Sequence, residues 1–530
     1  MTTTLLRRGT VYTPADPFAT AMLVADDRVA WVGSEGAAAA HADGVDRVVD
    51  LAGALVTPAF VDAHVHTTET GLALDGVDLS GTRSLAEALD RLAAHARARP
   101  GTALAGSGWD EGTWPEGRPP TAAELDRATR GAVVYLSRVD VHTAVVSPAL
   151  VAARPDLRAL PGWEGDGLVR RQAHDVARRF SRDTIRSARR RELQLAALRR
   201  AASVGIACVT ELAAPHINSA EDVQSLRALA AEEALPELLV YWGAEGGVDE
   251  LPALGALGAA GDLCVDGTVG SRTAALSAPY RDRPGERGYL YLDLERAVDH
   301  VVACTRSGVQ AGFHVIGDDA VRVGVEAVAR AADVCGLDAV LACRHRLEHV
   351  EMLADDLVPE LVRLGVVASV QPAFDALWGG EEGMYARRLG PDRARAMNPF
   401  ATMSRAGVQL AFGSDSPVTP LDPWGSVRAA AFHRTPGSGL SVRGAFSAHT
   451  RGGWRAARVD DAGVLAPGTL ASYAVWDVPG ELVVQAADER VANWSTDPRS
   501  GVPGLPDLTP GATLPTCLRT IASGRTVFAA

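Results

Sequence analysis

Two histidines one residue apart close an apolar run, Val61-Asp62-Ala63-His64-Val65-His66. Successive strand side chains point to opposite faces, so His64 and His66 share one face, and Asp62 joins them from two residues earlier. Imidazole pairs of this kind suit a divalent cation, which then requires further donors from elsewhere in the chain. Three other stretches offer them. Phe313-His314 ends an apolar run, RHRLEHVEM carries His345 and His349, and LAFGSDSP ends with Asp415. Together these are imidazoles from three strands and a carboxylate from a fourth, a nitrogen-and-oxygen set that fits Zn²⁺ or a similar ion. Singly, each is commonplace: a lone strand histidine is more often a hydrogen-bonded core residue, and Gly-Ser-Asp is more often a turn. Their order along one chain gives the joint reading its strength.

The elements that must bring them together are legible as strand–helix alternation. Short apolar runs (GALVTPAFVDAHVH, GIACVTEL, LLVYWGA, GVQAGFHVIG, GVVASVQPAF, GVQLAFGSD) are separated by Ala/Arg/Leu-rich stretches, among them 182–202 and 319–334, with apolar residues at three- and four-residue steps. Such alternation predicts an α/β fold with a parallel sheet, and at this length a (β/α)₈ TIM-like barrel, which collects its site at the C-terminal strand ends. Residues 57–464 form this barrel. The long stretch after the first strand predicts a helical insertion, residues 80–190, capping the pocket. The two ends of the chain are β-rich, and residues 1–56 and 465–530 are expected to build one composite β-sandwich.

Composition narrows the function classes. The chain has 530 residues, 47% of them hydrophobic and 22% charged, and a net charge of −13. Without basic clusters interleaved with aromatics, nucleic acid and anionic membrane surfaces are not expected partners. No apolar stretch has the length of a signal segment or a membrane span. The six cysteines lack paired spacing, which predicts reduced thiols and a cytoplasmic protein. A small-molecule substrate is the expected partner, and a homo-oligomer is compatible with the sequence. All 52 basic residues are arginine, so the chain contains no lysine.

The motifs LVTPAFVDAHVH, GWDEGTWPEGRPPTAAELD, VDVHTAVVSPAL, DGTVGSRTAAL, FHVIGDDAV, RHRLEHVEM and AFGSDSPVTPLDPW follow one another along nearly the whole chain. In these the sequence resembles the amidohydrolase superfamily and, within it, the YtcJ-like amidohydrolase-3 family. The resemblance implies a barrel with a composite sandwich and hydrolysis of carbon–nitrogen bonds other than peptide bonds. It also implies His64, His66, His314, His349 and Asp415 as metal ligands or their immediate partners. A metal-activated water then attacks an amide, formamide or cyclic amide. Asp415 serves as general base and then acid, and His349 as a ligand or as a donor to the oxyanion. Decarboxylation or isomerisation on the same scaffold, and a non-catalytic homologue, are the competing readings.

The sequence departs from its relatives in ways that bear on the site. Relatives carry a lysine four residues before the Asp-Gly of the fourth-strand motif, and in many superfamily members a carboxylated lysine bridges two metals. Here that position is Asp262, so no carboxylated lysine can form and one Zn²⁺ per chain is expected. Asp262 is either a further ligand or a hydrogen-bonded strand residue. Phe374 stands where relatives often have a histidine after Gln-Pro, and the strand TLASYAVWD lacks the usual acidic residue. Trp109, Asp140, His142 and Arg272 are candidate substrate contacts, with a salt-bridge network as the alternative for the last three. Asp110, Trp114, Trp378 and Trp424 are further candidates to line the pocket, whereas His216, His433 and His449 match no ligand motif.

Overall fold

A computed structural model describes residues 2–183, 185–485, 494–495 and 503–530. Eight parallel strands carry the centre of the molecule: β1 (Phe60–Val65), β2 (Ile206–Ala213), β3 (Glu237–Trp242), β4 (Gly258–Ala259), β5 (Gln310–Val315), β6 (Arg346–His349), β7 (Val367–Val370) and β8 (Gln409–Phe412). They pair as a three-stranded sheet, β3-β2-β1, and a five-stranded sheet, β4-β5-β6-β7-β8. Backbone bonds cross both seams. Leu257 N–H donates to Val240 O (2.8 Å), while Asp415 N–H donates to His64 O (2.8 Å) and His66 N–H to Ser416 O (3.0 Å).

These strands are buried on both faces. β1, β2 and β5 are buried at every position, the pattern of parallel strands covered by helices. Helices such as Leu294–Arg306 and Asp318–Cys335 cover them with Ala/Val faces. Phe313, Leu347, Ala368 and Phe412 share one hydrophobic cluster with residues of these helices. The helix expected over 319–334 spans Asp318–Cys335. The one expected over 182–202 runs instead from Ser187 to Ser203, and Thr184, within the expected range, lies outside the described residues.

The insertion is mixed rather than purely helical. Val77–Asp78, Leu104–Trp109, Val134–Arg138, Thr143–Val146 and Leu168–Arg170 form a five-stranded mixed sheet. Helices Leu85–Ala98 and Ala122–Thr129 pack on it around Trp109, Trp114 and Leu136. The expectation of a helical cap followed the Ala- and Arg-rich composition of this stretch. The short runs LAGSGW, VYLSR and TAVV, each buried by pairing with neighbours, override it.

Both chain ends contribute to one sheet, in which Thr10–Val11, Leu55–Pro58, Tyr473–Asp477, Thr516–Ala522 and Arg525–Ala529 lie side by side. A second sheet, from Thr3–Arg7, Ala21–Ala25, Arg28–Gly33 and Arg47–Asp50, shares a cluster with it that includes Leu6, Met22, Val29, Val56, Tyr473 and Ile521. The terminal run GELVVQA gives the strand Leu482–Gln485, and its Ala486 lies outside the described residues. Among the described residues, no helix is long and apolar enough to cross a membrane.

Candidate metal centre

Every candidate ligand lies at or just beyond the C-terminal end of a parallel strand. His64 and His66 end β1, His314 is the penultimate residue of β5 and His349 ends β6. Asp262 and Asp415 each follow a strand, β4 and β8, by three residues. His349 (φ 72°), Val350 (φ 49°) and Asp415 (φ 53°) adopt the left-handed conformation, disfavoured for side-chain-bearing residues and most of all for β-branched valine. The chain turns abruptly at these points, leaving the imidazole and the carboxylate at the strand mouth.

The donor atoms converge. His66 Nε2 stands 3.1 Å from Asp262 Oδ2 and 3.2 Å from Asp415 Oδ1. His64 Nε2 stands 3.5 Å from Asp262 Oδ1 and 3.4 Å from Asp415 Oδ1. His314 Nδ1 lies 3.7 Å from Asp262 Oδ1, and the His314 and His349 rings are 4.3 Å apart. Donor atoms of His64, His66 and Asp415 lie within 4.8 Å of one another, as do those of His64, Asp262 and His349. Bonds of about 2.0–2.2 Å to one tetrahedral ion put its ligand atoms about 3.3–3.5 Å apart, and the spacing around His64 and His66 is of that size.

The surrounding groups leave lone pairs directed inward. His64 Nδ1 lies 3.0 Å from Glu348 Oε2 and donates to it, so Nε2 is the bare nitrogen. His349 Nδ1 donates to Gln371 Oε1 (2.8 Å), again leaving Nε2 bare. His64 Nε2, His349 Nε2, His314 Nδ1 and Asp262 Oδ1 are buried without a hydrogen-bond partner. Four such atoms in one place carry a desolvation cost that a shared cation would offset. Burial disfavours charge on Asp262, but the neighbouring His64, His314 and His66 hold its carboxyl well below the usual range. Burial likewise opposes protonation of His66, and Asp262 and Asp415 reverse that effect.

Glu348 is itself fixed by Arg346, whose Nε lies 2.6 Å from Glu348 Oε1. The Arg346 guanidinium also donates to Ala63 O (2.8 Å) and Ser369 Oγ (3.1 Å), tying β6 to β1 and β7. Asp62 does not face the centre; its Oδ1 accepts from Ser414 N–H (2.9 Å) and His64 N–H (3.2 Å) and so clips β1 to the turn after β8. Glu348 and Arg346 escaped sequence reasoning, although their spacing of two within RHRLEH is the signal of a shared strand face. His345 is a packing residue, bonded to Thr305 Oγ1 and to Ala311 N–H.

The centre opens into a cavity lined by His66, Asp262, His314, His349 and Asp415 together with cap residues. Asp140 and His142 line it. Asp140 also clamps the loop after β4, since its Oδ2 accepts from Thr268 Oγ1 (2.9 Å) and Ser271 Oγ (2.7 Å) and faces Arg138 at 3.0 Å. Burial, helped by the nearby His314 charge, pushes the His142 pKa down to about 3. Two expected substrate contacts are not brought to the cavity. Trp109 is 1% exposed and donates from Nε1 to Leu136 O inside the cap. Arg272 is held by Asp282 at 2.7 Å. Trp114 and Trp424 are core residues, Asp110 pairs with Arg138, and Trp378 lines the cavity. His174 and His216 line it as well, although sequence reading passed over the first and took the second for an ordinary residue. His433 and His449 bond to backbone carbonyls away from it.

A cluster of buried imidazoles and carboxylates at the ends of parallel α/β strands defines the class of metal-dependent hydrolases. The chain belongs to the amidohydrolase family, whose model matches residues 47–528. It is similar to Protein LONG AFTER FAR-RED 3 of Arabidopsis thaliana, with 27% identity over 89% of this chain and 88% of that one. It is also similar to the putative amidohydrolase YtcJ of Bacillus subtilis, with 26% identity over 73% and 75% of the two chains. Among solved structures, an uncharacterized metal-dependent hydrolase from Pyrococcus furiosus superposes with a TM-score of 0.70 at 28% identity, covering 89% of this chain and 98% of the other.

Proposed function

We propose that this protein hydrolyses a non-peptide carbon–nitrogen bond (amide, formamide or cyclic amide) of a small molecule at a single Zn²⁺. The observation carrying this reading is the spacing of His64 Nε2, His66 Nε2, Asp262 and Asp415 oxygens at 3.1–3.5 Å, with His64 Nε2 and Asp262 Oδ1 buried without a hydrogen-bond partner. His64, His66, Asp262 and Asp415 would hold the ion, with His314 and His349 beside them. A cation there supplies Lewis acidity, acidifying its water and polarising a carbonyl. His64 has Nε2 alone free to ligate, because Nδ1 belongs to Glu348, and both candidate donor groups include His64. A single lone pair serves a single ion, which favours one metal per chain.

The residues divide the remaining work. Asp415 Oδ1 takes a proton from the attacking water and returns it to the leaving nitrogen. His349, with Nδ1 committed to Gln371, orients Nε2 toward the reacting group. Phe374 lies stacked at 6.0 Å from the His349 ring and, with Trp378, gives that side of the cavity an apolar wall that excludes water. The eight strands, with hydrogen bonds across both seams, fit a closed barrel bearing a sandwich built from both termini. The six free cysteines fit the cytoplasm.

Metal analysis of the purified protein, followed by a panel of amides, N-formyl compounds and cyclic amides, tests the reading. About one equivalent of zinc and cleavage of at least one panel class are expected, with loss on Asp415→Asn. Protein that holds no metal and keeps its activity as Asp415→Asn would overturn the proposal, and two tightly held equivalents would overturn the single-ion form.

A further inference from the structure

We propose that Arg178 is the seat for a carboxylate, so that the small molecule bound at this centre carries a negative charge on the cap side of the cavity. The claim deepens the hydrolase reading and uses the same cavity, but the binding it asserts does not depend on which bond is cleaved.

Helix Arg171–Asp183 places His174 and Arg178 four residues apart, on one face, and both line the cavity that holds His66, Asp262 and Asp415. The Arg178 side chain is 8% exposed. A guanidinium is permanently charged and presents five donors, and burying it without acceptors is costly. Glu69 gives it a long ion pair but no hydrogen bond. Glu69 Oε1 is 3.8 Å from Arg178, and both Glu69 oxygens accept from Arg182 instead. Among the described residues, no oxygen accepts a hydrogen bond from the Arg178 guanidinium.

The other groups around it do not compete. Asp175 points to His174 Nδ1 at 3.7 Å with its side chain 41% exposed, and Asp262 is committed to the histidine cluster. Burial holds His174 and His216 toward their neutral forms. Arg178 lines this cavity and also a smaller neighbouring one, which Glu69 and Arg182 share, so its guanidinium borders both. A planar carboxylate matches its donor fork two atoms to two. A phosphate dianion fits less well, since one guanidinium balances only one of its two charges. Phe374, Trp378, Met384 and Val418 line the same cavity, so the body joined to the carboxylate is apolar.

The test measures binding to the metal-loaded protein by calorimetry, with 3-phenylpropionate and its neutral counterpart 3-phenylpropanol. Neither probe has a carbon–nitrogen bond to cleave. Wild type is expected to prefer the carboxylate by about tenfold or more, the size of one charge-assisted pair. That preference should persist after chelation, which separates Arg178 from the ion. Arg178→Met, with unchanged melting and metal content, should bind the two within about twofold. Equal binding by wild type, a preference abolished by chelation, or a preference retained in Arg178→Met would overturn the proposal. If Arg178→Met does not fold, Arg178→Lys replaces it. A several-fold reduced preference is then expected, because an ammonium lacks the fork, and an unchanged one overturns the proposal. Carboxylate preference together with no cleavage across the amide panel would leave the Arg178 assignment standing and remove the hydrolase reading.

Discussion

His64 is held in one tautomer by a chain of charges: Arg346 fixes Glu348, and Glu348 Oε2 takes the Nδ1 proton at 3.0 Å. Glu348→Gln keeps the shape of that contact but replaces a charged acceptor with an amide. Metal affinity, measured by competition with a chelator, is expected to fall about 10- to 100-fold with little change in melting. An unchanged affinity would mean that Glu348 serves only packing. The five residues read from the sequence as ligands or their immediate partners lie at neighbouring strand ends, because strand-end position is encoded in where each apolar run stops. Their supporting groups were not legible. Glu348 becomes a partner of His64 only when β6 lies across from β1, residues 284 positions apart. Arg272 and Trp109 failed as cavity residues for the converse reason. A motif shows that a residue is present but not which way a turn or cap sheet directs its side chain.

At the scale of elements, the site depends on how closely β8 approaches β1. Gly413 makes that approach possible: a Cβ there would lie 2.6 Å from His64 N and 2.7 Å from His64 Cβ. Both obstacles are attached directly to the β1 backbone, so no rotamer relieves them. Gly413→Ala should therefore spread β8 from β1, lowering stability by roughly 1–3 kcal/mol. It should also lower metal content, because Asp415 and His64 lie on opposite sides of the gap. Denaturant midpoints and metal analysis of the same preparation check both, and an alanine variant with wild-type values would show that the strands are not so tightly apposed. Six of the strands were readable from their apolar runs; β4, of two residues, and β6, whose RLEH holds one apolar residue, give no such signal. The helices of the cap were legible in its composition, but its sheet was not. Its sheet consists of runs of two to six residues, too short to outweigh them.

Across the whole molecule, the C-terminal segment is built into the core of the central strands. Trp476 is fully buried, donates from Nε1 to Thr57 Oγ1 (2.9 Å) and meets Phe60 and Trp424 edge-on at 5.7 and 5.5 Å. Trp476→Ala is expected to lower unfolding stability by about 3–5 kcal/mol. A midpoint close to wild type would show that the terminal sheet folds apart from the centre. The same region sets the acid limit. His449 donates from Nδ1 to Val61 O (3.0 Å) beneath Phe60 and Phe412, and burial pushes its pKa down to about 4. An unfolded chain binds a proton at this residue near pH 6.5, whereas the folded chain does not bind one until about pH 4. The unfolded state therefore holds more protons throughout that window, and stability falls as pH drops from about 6.5 to 4, by roughly 3 kcal/mol from this group alone. Above the window the contribution is complete, and below it there is no further change. His449→Gln retains a donor for Val61 O but does not titrate, so its unfolding free energy should vary less steeply than wild type between pH 6.5 and 4, the two curves running parallel above pH 7. Parallel curves throughout would show that His449 is protonated in the fold, contrary to its burial against Phe60 and Phe412.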